Sequence, residues 1–514
     1  MTSVSPAKAT RKEWIGLAVI ALPCLVYAMD LTVLNLAVPA ISAQLHPTSS
    51  QLLWIIDIYG FLVAGLLITM GTLGDRIGRR KLLLLGAAAF GVASTIAAFS
   101  DSAGMLIVMR ALLGLAGATL APSTLSLIRN MFHDEHERQF AIGVWMASFS
   151  VGGAIGPLVG GVLLEFFWWG SVFLVAVPVM LLLLALGPIL LPEYRDPQAG
   201  RVDALSVACS LASVLATIYG LKQIAQHGWN WTAAAAIAAG LAIGTAFVRR
   251  QRHLAYPLLD TSLFRRPAFC AAIASYSLSG LAMFGVYIFI TQYLQLVLGL
   301  DPLRAGLATV PWAIGFVAGS LLGPRLARHM SPLRIVMGGL SMATVGFVLL
   351  LGADGAYGLE AIIAGMVVIS LGMAPVFTIG NEIILSSAPP ERAGAASAIS
   401  ETGAEFSGAL GIALLGSLGT VIYRHGLAKA MPAELPTDLA TAAASTLGGA
   451  VAVASSLSGP NADAVLAAAR AAFTDALQFT AAIGAVLMAC TTVVAARLLR
   501  DAPPRRPLVP DDAA

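Results

Sequence analysis

The chain has 514 residues, of which 58% are hydrophobic and only 11% are charged, and its formal net charge is +3. Soluble domains contain about 45 to 50% apolar and about 25% charged residues. The mean hydropathy of +0.85 therefore excludes an ordinary soluble protein and indicates a multi-pass membrane protein with the lipid bilayer as its surroundings. No basic cluster is suited to nucleic acid, so no nucleic-acid partner is expected.

A membrane-spanning helix needs about 20 apolar residues. Lys and Arg are enriched in cytoplasmic loops, and most of the 30 Lys and Arg residues fall there when both termini are cytoplasmic. Lys222, at the end of a span, is assigned to the outer side. The pattern predicts an all-α protein of the cell membrane with fourteen transmembrane helices, near 14–40, 51–72, 82–99, 103–128, 139–164, 168–191, 203–222, 229–248, 268–297, 304–324, 333–351, 357–385, 393–423 and 476–499.

An internal repeat divides these spans into six, two and six. Residues 71–76 are similar to 323–328, and residues 153–156 are similar to 408–411. Parallel half-repeats build many transporters, with the site at their interface. We therefore predict a six-helix bundle over 1–200, two inserted transmembrane helices over 201–250, a cytoplasmic linker over 251–267, a second six-helix bundle over 268–500 and a disordered tail over 501–514.

The segment 424–475 is predicted to be an outer loop of the second bundle. It is rich in Ala, Ser and Gly. Residues 439–447 and 462–473 are each compatible with a short amphipathic helix in an outer lid, and a flexible loop is the alternative.

Five carboxylates lie within predicted spans, where a charge costs about 3 kcal/mol on insertion scales and is functional by default. Asp30 is predicted to lie near Arg110, either as a structural ion pair or as a proton-coupling pair. Glu401 and Glu405 are four residues apart and so share a helix face, where two like charges do not both ionise easily. The remaining two are Asp57 and Glu382, and for Glu382 a hydrated position near the inner interface is the alternative.

Aromatic side chains in the spans are candidates for a substrate site, because an aromatic face attracts a cation. The alternative for each is a role in the core or at the membrane interface. The four cysteines are scattered singly, so neither a disulfide nor a metal site is expected. The aromatic candidates are Tyr27, Trp54, Tyr59, Trp145, Phe149, Phe284, Tyr287 and Trp312.

The loop after the second span has the sequence GTLGDRIGRRK (71–81). It resembles the signature loop of the major facilitator superfamily, which acts there as a conformational latch. The resemblance assigns that role to Asp75, Arg76 and Arg79. RALLGLAG (110–117) resembles a second motif of the family, in which a buried Arg is linked to proton coupling.

GGAIGPLVGG (152–161) resembles the motif of the drug-exporting antiporters in the same family, with Gly152, Gly156, Pro157, Gly160 and Gly161 as its characteristic residues. Four further stretches resemble the fourteen-helix branch of drug:proton antiporters: the first resembles the first-helix signature of that branch, and the other three resemble its quaternary-ammonium and multidrug exporters of the QacA and SmvA type. They are DLTVLNLAVP (30–39), LWIIDIY (53–59), PSTLSLIR (122–129) and ETGAEFSG (401–408).

These observations predict a proton-coupled antiporter that exports hydrophobic cations such as quaternary ammonium compounds, dyes and biocides by alternating access. The proton gradient supplies the energy, and no cofactor, metal or enzyme activity is expected. The protein is predicted to be bacterial and monomeric. Proton coupling is assigned to Asp30, Arg110, Glu401 and Glu405, and substrate binding to Asp57, Glu382, Tyr59, Trp54, Trp145, Phe149 and Trp312.

Two other functions remain open at this stage. One is the export of a single dedicated metabolite or antibiotic. If that compound is an anion, the excess of buried acids over buried bases argues against this function. The other, from a different class, is an intramembrane enzyme or receptor.

Overall fold

The computed structural model describes residues 8–195, 203–254, 257–259, 261–327, 329–354, 357–386, 393–431, 435–457 and 460–498. Within these ranges the secondary structure is helical and contains no strand. The predicted tail 501–514 lies outside them. The helices are α1 (Arg11–Leu45), α2 (Ser49–Ile77), α3 (Arg79–Ala98), α4 (Ala103–Gly117), α5 (Leu120–Met131), α6 (Glu135–Phe166), α7 (Ser171–Leu174), α8 (Ala176–Leu190), α9 (Ala204–His227), α10 (Trp231–Gln251), α11 (Pro267–Gln292), α12 (Pro302–Leu326), α13 (Pro332–Leu349), α14 (Gly358–Ser386), α15 (Ala393–Ala430), α16 (Thr437–Ser445), α17 (Leu447–Ser456) and α18 (Pro460–Leu498).

Thirteen helices in the described ranges are long and apolar enough to cross a membrane. The segments Phe140–Gly153 and Ile155–Phe166 of α6, bent by 43° relative to each other, bring the number to fourteen when they count as one span. Several spans are composite, since α4 and α5 form one crossing and α7 and α8 another. The predicted all-α, multi-pass architecture is confirmed.

The bend in α6 follows from Pro157. Proline lacks the N–H that would bond to the carbonyl four residues earlier, and its ring clashes with that carbonyl. The residue four positions before Pro157 is Gly153, which ends the first straight segment. The bend therefore falls where the proline interrupts the helix.

Two helical bundles face each other. In the first, α1 packs on α6, α2 on α4, and α3 on α4 and α8; in the second, α11 packs on α15, α12 on α14, and α13 on α14 and α18. The main contacts between the bundles join α2 to α15 and α6 to α12. The two repeated sequence pairs begin on these same four helices, which are the second and fifth crossings of each bundle.

The inserted helices α9 and α10 pack mainly against each other. Of the two, α9 makes the main contacts with the bundles, through α2 and α15. The inserted pair therefore lies beside one of the two seams between the bundles.

The segment 424–475, predicted to be an outer loop, is mostly helical in its described residues. The preceding helix α15 continues to Ala430, α18 begins at Pro460, and α16 and α17 lie between them. Alanine has the highest helix propensity, and the first half of α18 is Ala-rich. At the start of α17, the Thr446 side chain accepts a hydrogen bond from the Gly449 N–H (2.9 Å), which caps the helix.

Helices α16 and α17 contact the first bundle. The Ser49 hydroxyl, at the start of α2, donates a hydrogen bond to the Ser445 carbonyl, and α17 packs on α1. A side chain added at Gly448 would lie 2.6 Å from the Ser42 Cβ. This end of the molecule is therefore covered by a segment of the second bundle.

Candidate functional site

A cavity of about 330 Å³ lies between the two bundles. Its walls come from α1 and α6 of the first bundle and from α11, α12 and α15 of the second. Apolar side chains dominate the lining, and two carboxylates, Glu401 and Glu405, interrupt it. Ligand sites are typically concave and mostly apolar, with a few polar groups, so this cavity is the candidate substrate site.

Glu405 is the better anchored of the two carboxylates. It accepts a hydrogen bond from the Tyr27 hydroxyl (2.8 Å), which links α15 to α1 across the bundle interface. Glu401 lies one helical turn earlier with an exposed side chain. In the described part of the chain, neither glutamate forms an ion pair, so the cavity contains two acids and no cation to neutralise them.

Asp30 forms a buried ion pair with Arg110, a contact that both alternatives from the sequence allow. The Arg110 Nη1 lies 2.5 Å from the Asp30 Oδ2, and the two side chains are 1% and 9% exposed. Arg110 also donates a hydrogen bond from Nε to the Ile55 carbonyl (3.0 Å). The pair therefore ties α1, α2 and α4 together behind the cavity, because Asp30 is not among the lining residues.

Two tyrosines connect this ion pair to the cavity. The Arg110 guanidinium lies 4.6 Å from the centre of the Tyr59 ring, and the Tyr59 and Tyr27 ring centres are 5.9 Å apart. Within the described residues the buried Tyr59 hydroxyl has no hydrogen-bond partner. Aromatic and polar groups thus form a continuous path from Asp30 to Glu405.

Three of the substrate-binding aromatics predicted from the sequence line the cavity: Trp145, Phe149 and Trp312. The Trp145 and Phe149 rings are 4.8 Å apart in an edge-to-face arrangement, and the Trp145 Nε1 donates to the Thr124 hydroxyl (2.8 Å). Trp312 stacks at 4.9 Å against Tyr287, which lies behind it. Tyr27 and Phe284 also line the cavity.

The other predicted substrate residues lie elsewhere. Tyr59 is buried against Arg110, and Trp54 packs on Lys222 of α9, with the ammonium 3.8 Å from its ring centre. Asp57 is paired with the same lysine. Glu382, on α14, is exposed and is not among the lining residues.

Lys222 was assigned to the outer side because the predicted span ended at that residue. The structure corrects this placement: α9 continues to His227, and the Lys222 side chain is 1% exposed. The sequence also gave no reason to single out Met283 and Phe316, which line the cavity. An unpaired charge is costly in a membrane, so a cationic partner for Asp57 can be expected. A search for that partner could have drawn attention to Lys222.

The latch residues lie at the junction of α2 and α3. Arg79 forms an ion pair with Asp75 (2.6 Å) and donates to the Pro122 carbonyl (3.1 Å), which connects the junction to α5. Gly78 between the two helices has φ +114°, a conformation that favours glycine. Arg76 is exposed. The geometry fits the predicted ion-pair latch, whose role in transport stays a prediction.

The antiporter-motif glycines bring α6 close to two other helices. A side chain added at Gly152 would meet the Leu25 carbonyl of α1 at 2.1 Å, and one at Gly161 would meet the Pro302 carbonyl of α12 at 2.7 Å. Gly156 and Gly160 likewise face Thr32 and Val33 of α1. Small residues allow membrane helices to approach this closely.

Gly152→Ala is therefore expected to impair folding or transport strongly, because the new methyl group collides with backbone rather than with a movable side chain. Overpacking costs about 1 to 3 kcal/mol, sometimes more. Gly143→Ala, on the same helix and away from the cavity lining, is the matched control, since nothing lies within 4 Å of a side chain there. Thermal stability and efflux of the two purified variants test this, and equal values for both would contradict the packing argument.

A helical protein of two bundles, with a cavity and buried acids at their interface, has the architecture of a membrane transporter. The family model of the Major Facilitator Superfamily matches residues 20–412. The chain belongs to the major facilitator superfamily, as the motifs predicted.

Curated relatives extend over nearly the whole chain. It is 44% identical to the multidrug efflux pump LfrA of Mycolicibacterium smegmatis over 490 residues, which cover 95% of this chain and 97% of the relative. It is 36% identical to the methyl viologen resistance protein SmvA of Salmonella typhimurium, covering 90% of this chain and 93% of the relative.

Solved structures support the fold. A bacterial homolog of the human lysosomal transporter Spinster, in an inward-facing and unoccupied conformation, aligns with a TM-score of 0.67. The alignment covers 97% of this chain and 100% of that one at 15% sequence identity. At that identity the likeness concerns the fold alone.

Proposed function

We propose that the protein is a proton-driven multidrug exporter whose substrates are hydrophobic cations. The observation that carries this proposal is the cavity between the bundles, which joins an aromatic wall to two acids without a cation. The names of LfrA, a multidrug efflux pump, and SmvA, a methyl viologen resistance protein, support drug export. We expect the active unit to be a monomer.

The charge of the cavity explains how drug and proton exchange. An ionised carboxylate in a membrane needs a countercharge, and either a proton on Glu405 or a bound cation supplies it. The two therefore compete for the same oxygen atoms. Drug entering from the cytoplasm displaces the proton, and a proton entering from outside displaces the drug.

Membrane potential sets the number of protons. Moving one charge inward across 100 mV releases about 2.3 kcal/mol, and moving a cation outward costs the same. One proton balances the charge of a monocation, whereas a dication needs more than one. The cavity contains two acids, Glu401 and Glu405, that could each carry a proton during the exchange of a dication.

Flux in liposomes tests the proposal. Purified protein is reconstituted in vesicles with an acidic lumen, and ethidium fluorescence and lumenal pH are recorded together. We expect ethidium to accumulate while the lumen loses protons, and both signals to stop when an ionophore dissipates the pH difference. Ethidium movement that ignores the pH difference would refute proton coupling, and movement of anions in its place would favour a dedicated exporter.

A further inference from the structure

The inserted helix α9 places a lysine inside the protein. The Lys222 Nζ lies 2.9 Å from the Asp57 Oδ1 and 2.8 Å from the Asp57 Oδ2, and the two side chains are 1% and 0% exposed. On its other side the ammonium lies 3.8 Å from the Trp54 ring centre. Ion pairing and a cation–π contact therefore fix the lysine in place.

Asp57 also lies near Glu405, the carboxylate that we propose binds the substrate. A small cavity of about 120 Å³ is lined by both Asp57 and Glu405, together with Phe284. The Asp57 Oδ2 is in ion-pair contact with Lys222 but, among the described residues, has no hydrogen-bond partner. One oxygen of Asp57 thus keeps an unused acceptor position in a buried site next to Glu405.

The first bundle pairs each of its two buried acids with a cation, and the second bundle does not pair its two cavity acids with any described residue. Asp30 is paired with Arg110 and Asp57 with Lys222, whereas Glu401 and Glu405 form no ion pair with any described residue. Asp57 would become a further site for positive charge if Lys222 were removed. The lysine belongs to α9, so the inserted pair, and neither bundle, supplies this charge.

We propose that Lys222 is a specificity-determining residue, a fixed internal cation that occupies Asp57 and so disfavours dicationic substrates relative to monocationic ones. This inference rests on the proposed export of cations. A dication near Glu405 gains from a second carboxylate within reach, and Asp57 lines the same small cavity. Lys222 neutralises that carboxylate and adds its own repulsion.

Lys222→Gln tests the proposal through substrate selectivity. The half-saturating concentrations for export of ethidium, a monocation, and methyl viologen, a dication, are measured on the same reconstituted variant. We expect the ratio of the half-saturating concentration of methyl viologen to that of ethidium to fall about tenfold, which favours methyl viologen, because a close charge pair affects binding by at least this much. Lys222→Arg keeps the cation and is expected to leave the ratio near the wild-type value.

Arg250→Gln is the matched control on the inserted helices. Arg250 pairs with Asp203 at the other end of the helix pair (2.8 Å), and its side chain is 39% exposed. Removing this cation is expected to leave the ratio unchanged. A similar shift in Arg250→Gln would mean that any loss of charge from the inserted pair alters selectivity, which would overturn the assignment to Lys222.

A second variant covers the case in which Lys222→Gln does not fold. Asp57→Asn leaves the lysine without its carboxylate, so methyl viologen is expected to lose affinity several-fold more than ethidium. Folded variants with an unchanged ratio would show that the pair is only structural. Failure of the wild-type protein to export ethidium is a separate result, which would overturn the proposed function instead.

Discussion

Asp30→Asn is expected to abolish proton-driven export of ethidium. The substitution leaves the Arg110 guanidinium buried and without its carboxylate, because the two groups are in direct contact at 2.5 Å. Breaking one side of a buried ion pair costs about 3 to 5 kcal/mol, and the position can no longer exchange a proton. We expect the coupled flux to fall to the background of protein-free vesicles, because an amide cannot take up or release the coupling proton.

Loss of stability must be separated from loss of coupling. Asp30→Asn/Arg110→Gln removes both charges and is expected to recover thermal stability without recovering coupled transport. Asp30→Glu retains the carboxylate and should keep partial activity. Normal exchange of protons for ethidium by Asp30→Asn would show that Asp30 and Arg110 form a purely structural pair.

Glu405→Gln is expected to uncouple drug binding from protonation with little loss of stability. Glutamine is nearly isosteric and still accepts the hydrogen bond that the Tyr27 hydroxyl donates (2.8 Å). It cannot take up a proton or provide a negative charge for a cation. We expect ethidium affinity to fall about tenfold or more, because a close pair of opposite charges contributes about 1.5 kcal/mol or more, and its dependence on pH to weaken, with Glu401 as the remaining acid of the cavity.

Tyr27→Phe is the matched control for Glu405→Gln. It removes only the hydrogen bond, which contributes about 0.5 to 1.5 kcal/mol, and leaves the carboxylate in the cavity. Ethidium binding by this variant should therefore weaken modestly and stay dependent on pH. Fluorescence titration of the purified variants at several pH values measures both effects, and pH-dependent, wild-type affinity in Glu405→Gln would rule out Glu405 as the shared site.

The sequence predicted the two bundles and the identity of several interior groups for simple reasons. Charges are rare within spans, so Asp30 and Arg110 stand out. Their predicted depths below the outer membrane surface are similar enough for the two side chains to form a pair. The four-residue spacing of Glu401 and Glu405 put them on one face before any contact was known.

The rotation of each helix about its axis could not be predicted in the same way. A helix that is apolar all round gives no stripe to show which side faces the cavity, and α2 is of this kind over most of its length. Trp54 and Tyr59 were therefore assigned to the substrate site, whereas packing turns them towards Lys222 and Arg110.

Tertiary packing also decided the partner of Asp57. Lys222 is 165 positions away in sequence and sits near a helix end, where a lysine normally extends to the membrane surface. Only the contact of α9 with α2 shows that this side chain points inward.

If the protein is the proposed antiporter, the number of unpaired acids in the cavity that carry protons sets how steep a drug gradient the cell can maintain. In the proposed antiport, exchange of one proton for one monocation moves no net charge, so the membrane potential does no work and no drug gradient can be built when the external and cytoplasmic pH are equal. Exchange of two protons moves one charge inward and adds about 2.3 kcal/mol per 100 mV. Whether Glu401 protonates together with Glu405 therefore decides whether a bacterium in an alkaline medium can still expel the drug.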